Sequence, residues 1–150
     1  MVRKILLLLL MSTAVMAAPA QNMPYSWNFS AKKTGPGSYE IHCAAALRAP
    51  WHIYSQFTPA GGPVPTKFVF AKNPLYKTAG EPKETGRLVT RHEEVFGVDV
   101  KYFEGDVDFI QIVKMKSAAK TNFTGSVTFM VCNDTECMPP KTEQFSVTLQ

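Results

Sequence analysis

Polar and apolar positions alternate along most of the chain beyond its first twenty residues. Tyr39, Ile41, Cys43, Ala45 and Leu47 fall on one face of an extended segment, and Glu40, His42, Ala44, Ala46 and Arg48 fall on the other. A period of two marks a strand with one buried face. Residues 25–30 alternate in the same way, and so do residues 107–115. Residues 51–55 and 67–70 read as short aromatic strands, and residues 123–131 and 144–149 as longer ones. Residues 91–103 run from charged to apolar to alternating, with Val95, Phe96, Val98, Val100 and Phe103 as core positions. Turns are expected at residues 33–37, 59–65 and 117–120, with Asn73-Pro74 and Gly80-Glu81-Pro82 as further breaks. No stretch holds a helical period for three turns. The eleven prolines and nine glycines are spread along the chain rather than gathered in linkers. Short strands about ten residues apart predict an all-β sandwich or barrel.

The first twenty residues break the pattern. Arg3 and Lys4 precede an apolar run over residues 5–16, followed by Ala17-Ala18-Pro19-Ala20. This is the layout of a secretory signal peptide, with cleavage expected after Ala20. About 12 apolar residues are too few for a membrane helix. Residues 21–150 then form one domain of about 130 residues, enough for one core. Loss of Arg3 and Lys4 lowers the formal charge from +4 to +2, and the remaining lysines are scattered. Charge therefore gives no argument for nucleic acid. Export places the thiols in an oxidising compartment, where disulfides persist.

The chemistry concentrates in Val131-Cys132-Asn133-Asp134-Thr135-Glu136-Cys137-Met138-Pro139-Pro140. Two of the three cysteines stand here with turn-forming residues between them. They are the natural pair, which leaves Cys43 over on an apolar strand face, as a buried thiol or as a third reactive cysteine. A disulfide closing so short a loop contributes only about 2 kcal/mol in the chain-entropy model. A static staple and a redox-active dithiol both remain open on these residues. Asp134 and Glu136 disfavour a thiolate, and no basic residue lies between the cysteines. A working pair here is expected to react mainly when a partner docks.

Other chemistries are weaker. His42, His52 and His92 are isolated in sequence, with no His-x3-His spacing. Cys132, Cys137 and Met138 with a histidine form a soft donor set for Cu(I), although the motif needs no metal to be explained. There is no Gly-x-Ser-x-Gly motif and no glycine-rich phosphate loop. Glu93 and Glu94 read as a solvated loop tip.

The Cys-x4-Cys-x-Pro-Pro motif, the strands flanking it and the upstream Trp51-His52-Ile53-Tyr54-Ser55 resemble the N-terminal periplasmic domain family of the thiol:disulfide interchange protein DsbD. Glu93-Glu94-Val95-Phe96-Gly97 resembles the family's cap loop. The resemblance covers nearly all of residues 21–150 and implies an immunoglobulin-like β-sandwich that needs no cofactor. It implies a domain that takes electrons from the thioredoxin-like domain of a membrane thiol reductase and passes them to periplasmic thioredoxin-fold oxidoreductases. By the same resemblance Cys137 forms the mixed disulfides and Cys132 resolves them. Tyr54, Glu94, Val95 and Phe96 would shield the pair. The chain departs from the family in two places. The cysteine spacing is one residue shorter than in the best-known members, and Val95 stands where they carry an aromatic. The chain ends at Gln150, so the electron donor is expected to be a separate polypeptide. The alternative functions are a non-catalytic binding sandwich with a structural disulfide, or a Cu(I)-handling domain.

Overall fold

The computed structural model describes residues 23–94 and 96–150. The expected signal peptide lies outside these residues, as does Val95. The described residues form nine strands and no helix: β1 (Tyr25–Gly35), β2 (Ser38–Leu47), β3 (His52–Tyr54), β4 (Lys67–Phe70), β5 (Tyr76–Glu93), β6 (Val98–Met115), β7 (Thr121–Phe129), β8 (Val131–Cys132) and β9 (Lys141–Leu149).

They build two sheets. The larger runs β1-β2-β6-β3-β8, with β5 on the other side of β6; the smaller runs β4-β7-β9. Every pairing between named strands is antiparallel. The two sheets face each other over one core, and this gives the immunoglobulin-like sandwich expected from the sequence. β2 contributes the residues its alternation predicts, with Ile41, Cys43 and Ala45 fully buried. Phe109 and Val113 of β6 join them from the same sheet, and Phe123, Phe129 and Leu149 face them from the other. Trp27 of β1 packs edge-on to Phe129 at 5.2 Å, and Phe29 stacks on Phe145 at 4.6 Å. Such pairs contribute about 0.5–1.5 kcal/mol beyond the area they bury.

Several expected elements differ. β1 continues through the residues read as a turn, and the reversal is confined to Pro36 and Gly37, where Gly37 has φ 65°. β5 is an 18-residue strand through a region that reads as punctuation. Gly80 and Pro82 sit in it at a register shift between Ala79 and Lys83. Proline is tolerated at such an edge position because its missing N–H removes no ladder bond. Among the expected core positions Val100 and Phe103 are buried, but Phe96 is 47% exposed. It lies in the tight β5–β6 turn, where the amides of Phe96 and Gly97 both donate to the carbonyl of Glu93. A ring on a four-residue turn projects past the sheet and has no core to enter.

One departure positions the site. Residues 123–131 read as a single strand, but the chain changes sheets at Met130. β7 ends at Phe129 in the smaller sheet, and β8 begins at Val131 in the larger, paired with β3. β9 returns to the smaller sheet, with Lys141 opposite Phe129. The cysteine motif is thus an excursion from the β7–β9 pair that is tied to the opposite sheet.

Candidate functional site

Val131 and Cys132 are neighbours on one strand, so their side chains point to opposite faces of the larger sheet. Val131 enters the sandwich core with Ile53 and Phe103. Cys132 faces outward, into a second, smaller cluster with Tyr54, Val100 and Tyr102, flanked by Val89, Val98 and Met130. The pairing register explains the set. Tyr54 lies opposite Tyr102, and Tyr102 opposite Val89. One row along, Cys132 lies opposite His52, His52 opposite Glu104, and Glu104 opposite Arg87.

An outward face is normally wet. Here the segment after β3 folds back over it. The Ser55 amide donates to the Lys101 carbonyl at 2.9 Å, and the Thr66 hydroxyl donates to the Tyr54 carbonyl at 2.6 Å. Glu84 of β5 accepts from the Ser55 hydroxyl and from the Gln56 amide, each at 2.7 Å. Gly62 packs so closely that an added Cβ would lie 3.3 Å from Val98 and 3.4 Å from Val100. Small size is needed there to let the backbone approach the hairpin.

Cys132 and Cys137 form a disulfide with their Cα atoms 4.0 Å apart. The two sulfurs sit in unlike surroundings: Cys132 is 1% exposed, whereas Cys137 lies on the surface. The loop between them carries its own hydrogen bonds. Asn133 Oδ1 accepts from the amides of Thr135 and Glu136 and from the Thr135 hydroxyl, at 2.8–2.9 Å. The Asn133 amide donates to the Glu136 carbonyl, and the Met138 amide donates to the Val131 carbonyl, both at 2.9 Å. Asparagine suits this place because its side chain closes a turn on the backbone two and three residues ahead.

The structure places Tyr54 in the cluster around Cys132. Burial, with the negative charge of Glu93, pushes its hydroxyl up to about 12. Phe96 is not part of that cluster, and Glu94 is exposed beside it in the hairpin turn. Cys43 is a buried free thiol in the sandwich core; burial, with Asp108 nearby, pushes it up to about 12. At this acidity almost no thiolate forms near neutral pH, and Cys43 is chemically quiet.

The histidines are not isolated in space. His42 Nδ1 lies 2.6 Å from Asp108 and His92 Nδ1 lies 2.8 Å from Asp99. His52 is 8% exposed, shares a 3.2 Å hydrogen bond with the Tyr54 hydroxyl and lies 4.4 Å from the Tyr102 ring. Burial lowers its pKa, with Arg91 adding to the effect and Asp134, Glu104 and Glu93 opposing it. Beside it opens a cavity of about 490 Å³, lined in part by Trp51, His52, Arg91, Glu104 and Asp134. Tyr102 belongs to the cluster and lines this cavity with His52, but in the sequence His52 read as an isolated histidine and Tyr102 was not singled out. Tyr102 had one usable signal: it shares parity with Val98 and Val100, not with Phe103. His52 shares parity with Tyr54, but its opposition to Cys132 joins positions 80 residues apart.

Residues 19–149 match the family model described as thiol:disulfide interchange protein DsbD, N-terminal. Two solved structures are similar. The reduced N-terminal domain of DsbD from Neisseria meningitidis has 14% identity and a TM-score of 0.49, covering 72% of this chain and 75% of that one. The N-terminal periplasmic domain of ScsB from Proteus mirabilis has 15% identity and a TM-score of 0.49, covering 83% of this chain and 44% of that one. No match was found among curated proteins. Among the described residues no helix is long and apolar enough to cross a membrane. With the family model spanning nearly the whole chain, this protein belongs to the DsbD N-terminal domain family of thiol–disulfide exchange domains.

Proposed function

We propose that the protein relays reducing equivalents in the periplasm through Cys132 and Cys137, from a thioredoxin-like donor domain of a membrane reductase to thioredoxin-fold oxidoreductases. The observation that carries this reading is the unequal exposure of the two sulfurs. Exchange requires in-line access to the sulfur under attack, and only Cys137 offers it. A donor thiolate attacks Cys137 Sγ. The new bond joins donor and Cys137, the Cys132–Cys137 bond breaks, and its electron pair passes to Cys132 Sγ. The donor's second thiolate then attacks its own sulfur in the mixed disulfide and releases Cys137. The donor is left oxidised and this chain holds two thiols. In the second half, Cys137 attacks a target disulfide, and Cys132 attacks Cys137 Sγ to expel the reduced target. Tyr54 packs against the buried sulfur, and Glu94, Val95 and Phe96 belong to a cap at the partner interface.

The loop hydrogen bonds favour a relay over a static staple. None of them involves a sulfur atom, so opening the disulfide removes none of the bonds that shape the loop for closure. The reading is tested by trapping. The Cys132→Ser chain, mixed with periplasmic extract, is expected to give discrete mixed disulfides through Cys137 that contain thioredoxin-fold proteins. The Cys137→Ser chain is expected to give none. Equal patterns from the two variants would sink the relay.

A further inference from the structure

We infer that His52 is the proton-transfer residue for the Cys132 sulfur, an acid when Cys132 leaves and a base when Cys132 attacks. The inference rests on the relay reading above, in which Cys132 is the buried partner of the exchange.

The need comes from burial. When the disulfide opens at Cys137, a full negative charge develops on Cys132 Sγ, which is 1% exposed. An unpaired charge in such surroundings is strongly disfavoured unless it is neutralised. The apolar residues that pack with Cys132 are Tyr54, Val100, Tyr102, Val89, Val98 and Met130. This apolar packing offers the charge no compensation, and Tyr54 is a weaker acid than a thiol. The residues between the cysteines include two carboxylic acids and no base.

His52 stands directly opposite Cys132 on the neighbouring antiparallel strand. Residues so placed project from the same face, with Cβ atoms about 4.5–5.5 Å apart. The ring is held on that face by the Tyr54 hydroxyl at Nε2 and by Tyr102 at 4.4 Å. The cavity of about 490 Å³ beside it gives the ring a route to solvent protons. In the opening step the imidazolium gives its proton to Cys132 Sγ, which becomes a thiol, and the neutral ring recovers a proton from water in the cavity. In the closing step the neutral ring takes the proton of the Cys132 thiol as its sulfur attacks Cys137.

The surrounding charges set the range. Facing His52 are Tyr54 on its own strand, Cys132 and Asp134 from β8 and its loop, Tyr102 and Glu104 from β6, and Arg87, Arg91 and Glu93 from β5. Burial and Arg91 outweigh the carboxylates, so the ring titrates below its ordinary value.

The test uses dithiothreitol as the attacking thiol, with opening rates divided by its thiolate concentration across about pH 5 to 9. The unmodified chain is expected to show a rate that rises as pH falls through the His52 pKa. His52→Gln is expected to lose that inflection and to open at least ~10-fold more slowly at the acid end. NMR of the unmodified, reduced chain provides a second readout that needs no variant at His52. The His52 ring signals are expected to follow the Cys132 thiol titration, and Cys132→Ser to abolish that response. An unchanged pH profile in a folded His52→Gln chain overturns the inference, as does a ring blind to the thiol. A disulfide that dithiothreitol opens at no pH overturns the relay reading itself, a result distinct from the other two.

Discussion

At the scale of single residues, the three cysteines divide by environment. Cys43 packs among Phe and Val side chains of the sandwich core, and its pKa near 12 leaves it almost wholly protonated at neutral pH. After mild reduction, iodoacetamide at about pH 8 is expected to modify Cys137 first and Cys132 slowly. Cys43 is expected to react only once the chain is unfolded, with the modified positions read by peptide mass spectrometry. Labelling of Cys43 in the native chain would contradict its assignment as a core thiol. The same contrast governs legibility. The period of two in β2 put Cys43 on the buried face correctly, because a local pattern is enough for that. Which cysteine of the motif is buried depends on where β8 docks, and no local pattern carries that.

At the scale of elements, the site depends on the segment that folds back over the larger sheet, and Glu84 is its main tie. One carboxylate receives both the Ser55 hydroxyl and the Gln56 amide. Hydrogen bonds to charged groups contribute about 1.5–3 kcal/mol. Glu84→Ala is therefore expected to lower unfolding free energy in urea by about that amount and to speed hydrogen exchange at the Gln56 amide. No change in either would show that the segment is held by other contacts. Glu84 lies on β5, the element least visible in the sequence. A strand at a sheet edge with both faces largely wet has no reason to alternate, and β5 buries only Tyr76 and Pro82. Its charges, with Pro82, also suit an edge that must not pair with another chain. The β5–β6 hairpin shows a second limit. Val100 and Phe103 both read as core and both are buried, yet an odd separation on one strand means they cannot share a face. Two clusters were implied, one per face, where a single core was expected.

At the scale of the whole molecule, the disulfide adds little to a fold already held by two sheets and a continuous aromatic core. The chain-entropy contribution of so short a loop is about 2 kcal/mol. For a domain of this size that corresponds to roughly 6–10 °C in Tm. The reduced chain is expected to melt cooperatively within that interval of the oxidised one, with unchanged far-UV circular dichroism below the transition. Collapse of the fold on reduction would return the pair to the role of a structural staple. The sandwich class was legible because most strands repeat one simple pattern. The change of sheet at Met130 was not, because the apolar run from β7 into β8 is unbroken while the partner strand changes.

That change of sheet separates the reactive loop from the framework on which it is carried. Phe129 opposite Lys141 closes the excursion at its base, and Val131 opposite Ile53 fixes its inner arm. Between Cys132 and Cys137 no residue pairs with a strand of either sheet, and Asp134 reaches the cavity beside His52. A residue gained or lost there alters the loop without moving a rung of either ladder. The length of this loop is therefore set by its own turn and not by the pairing of the scaffold strands.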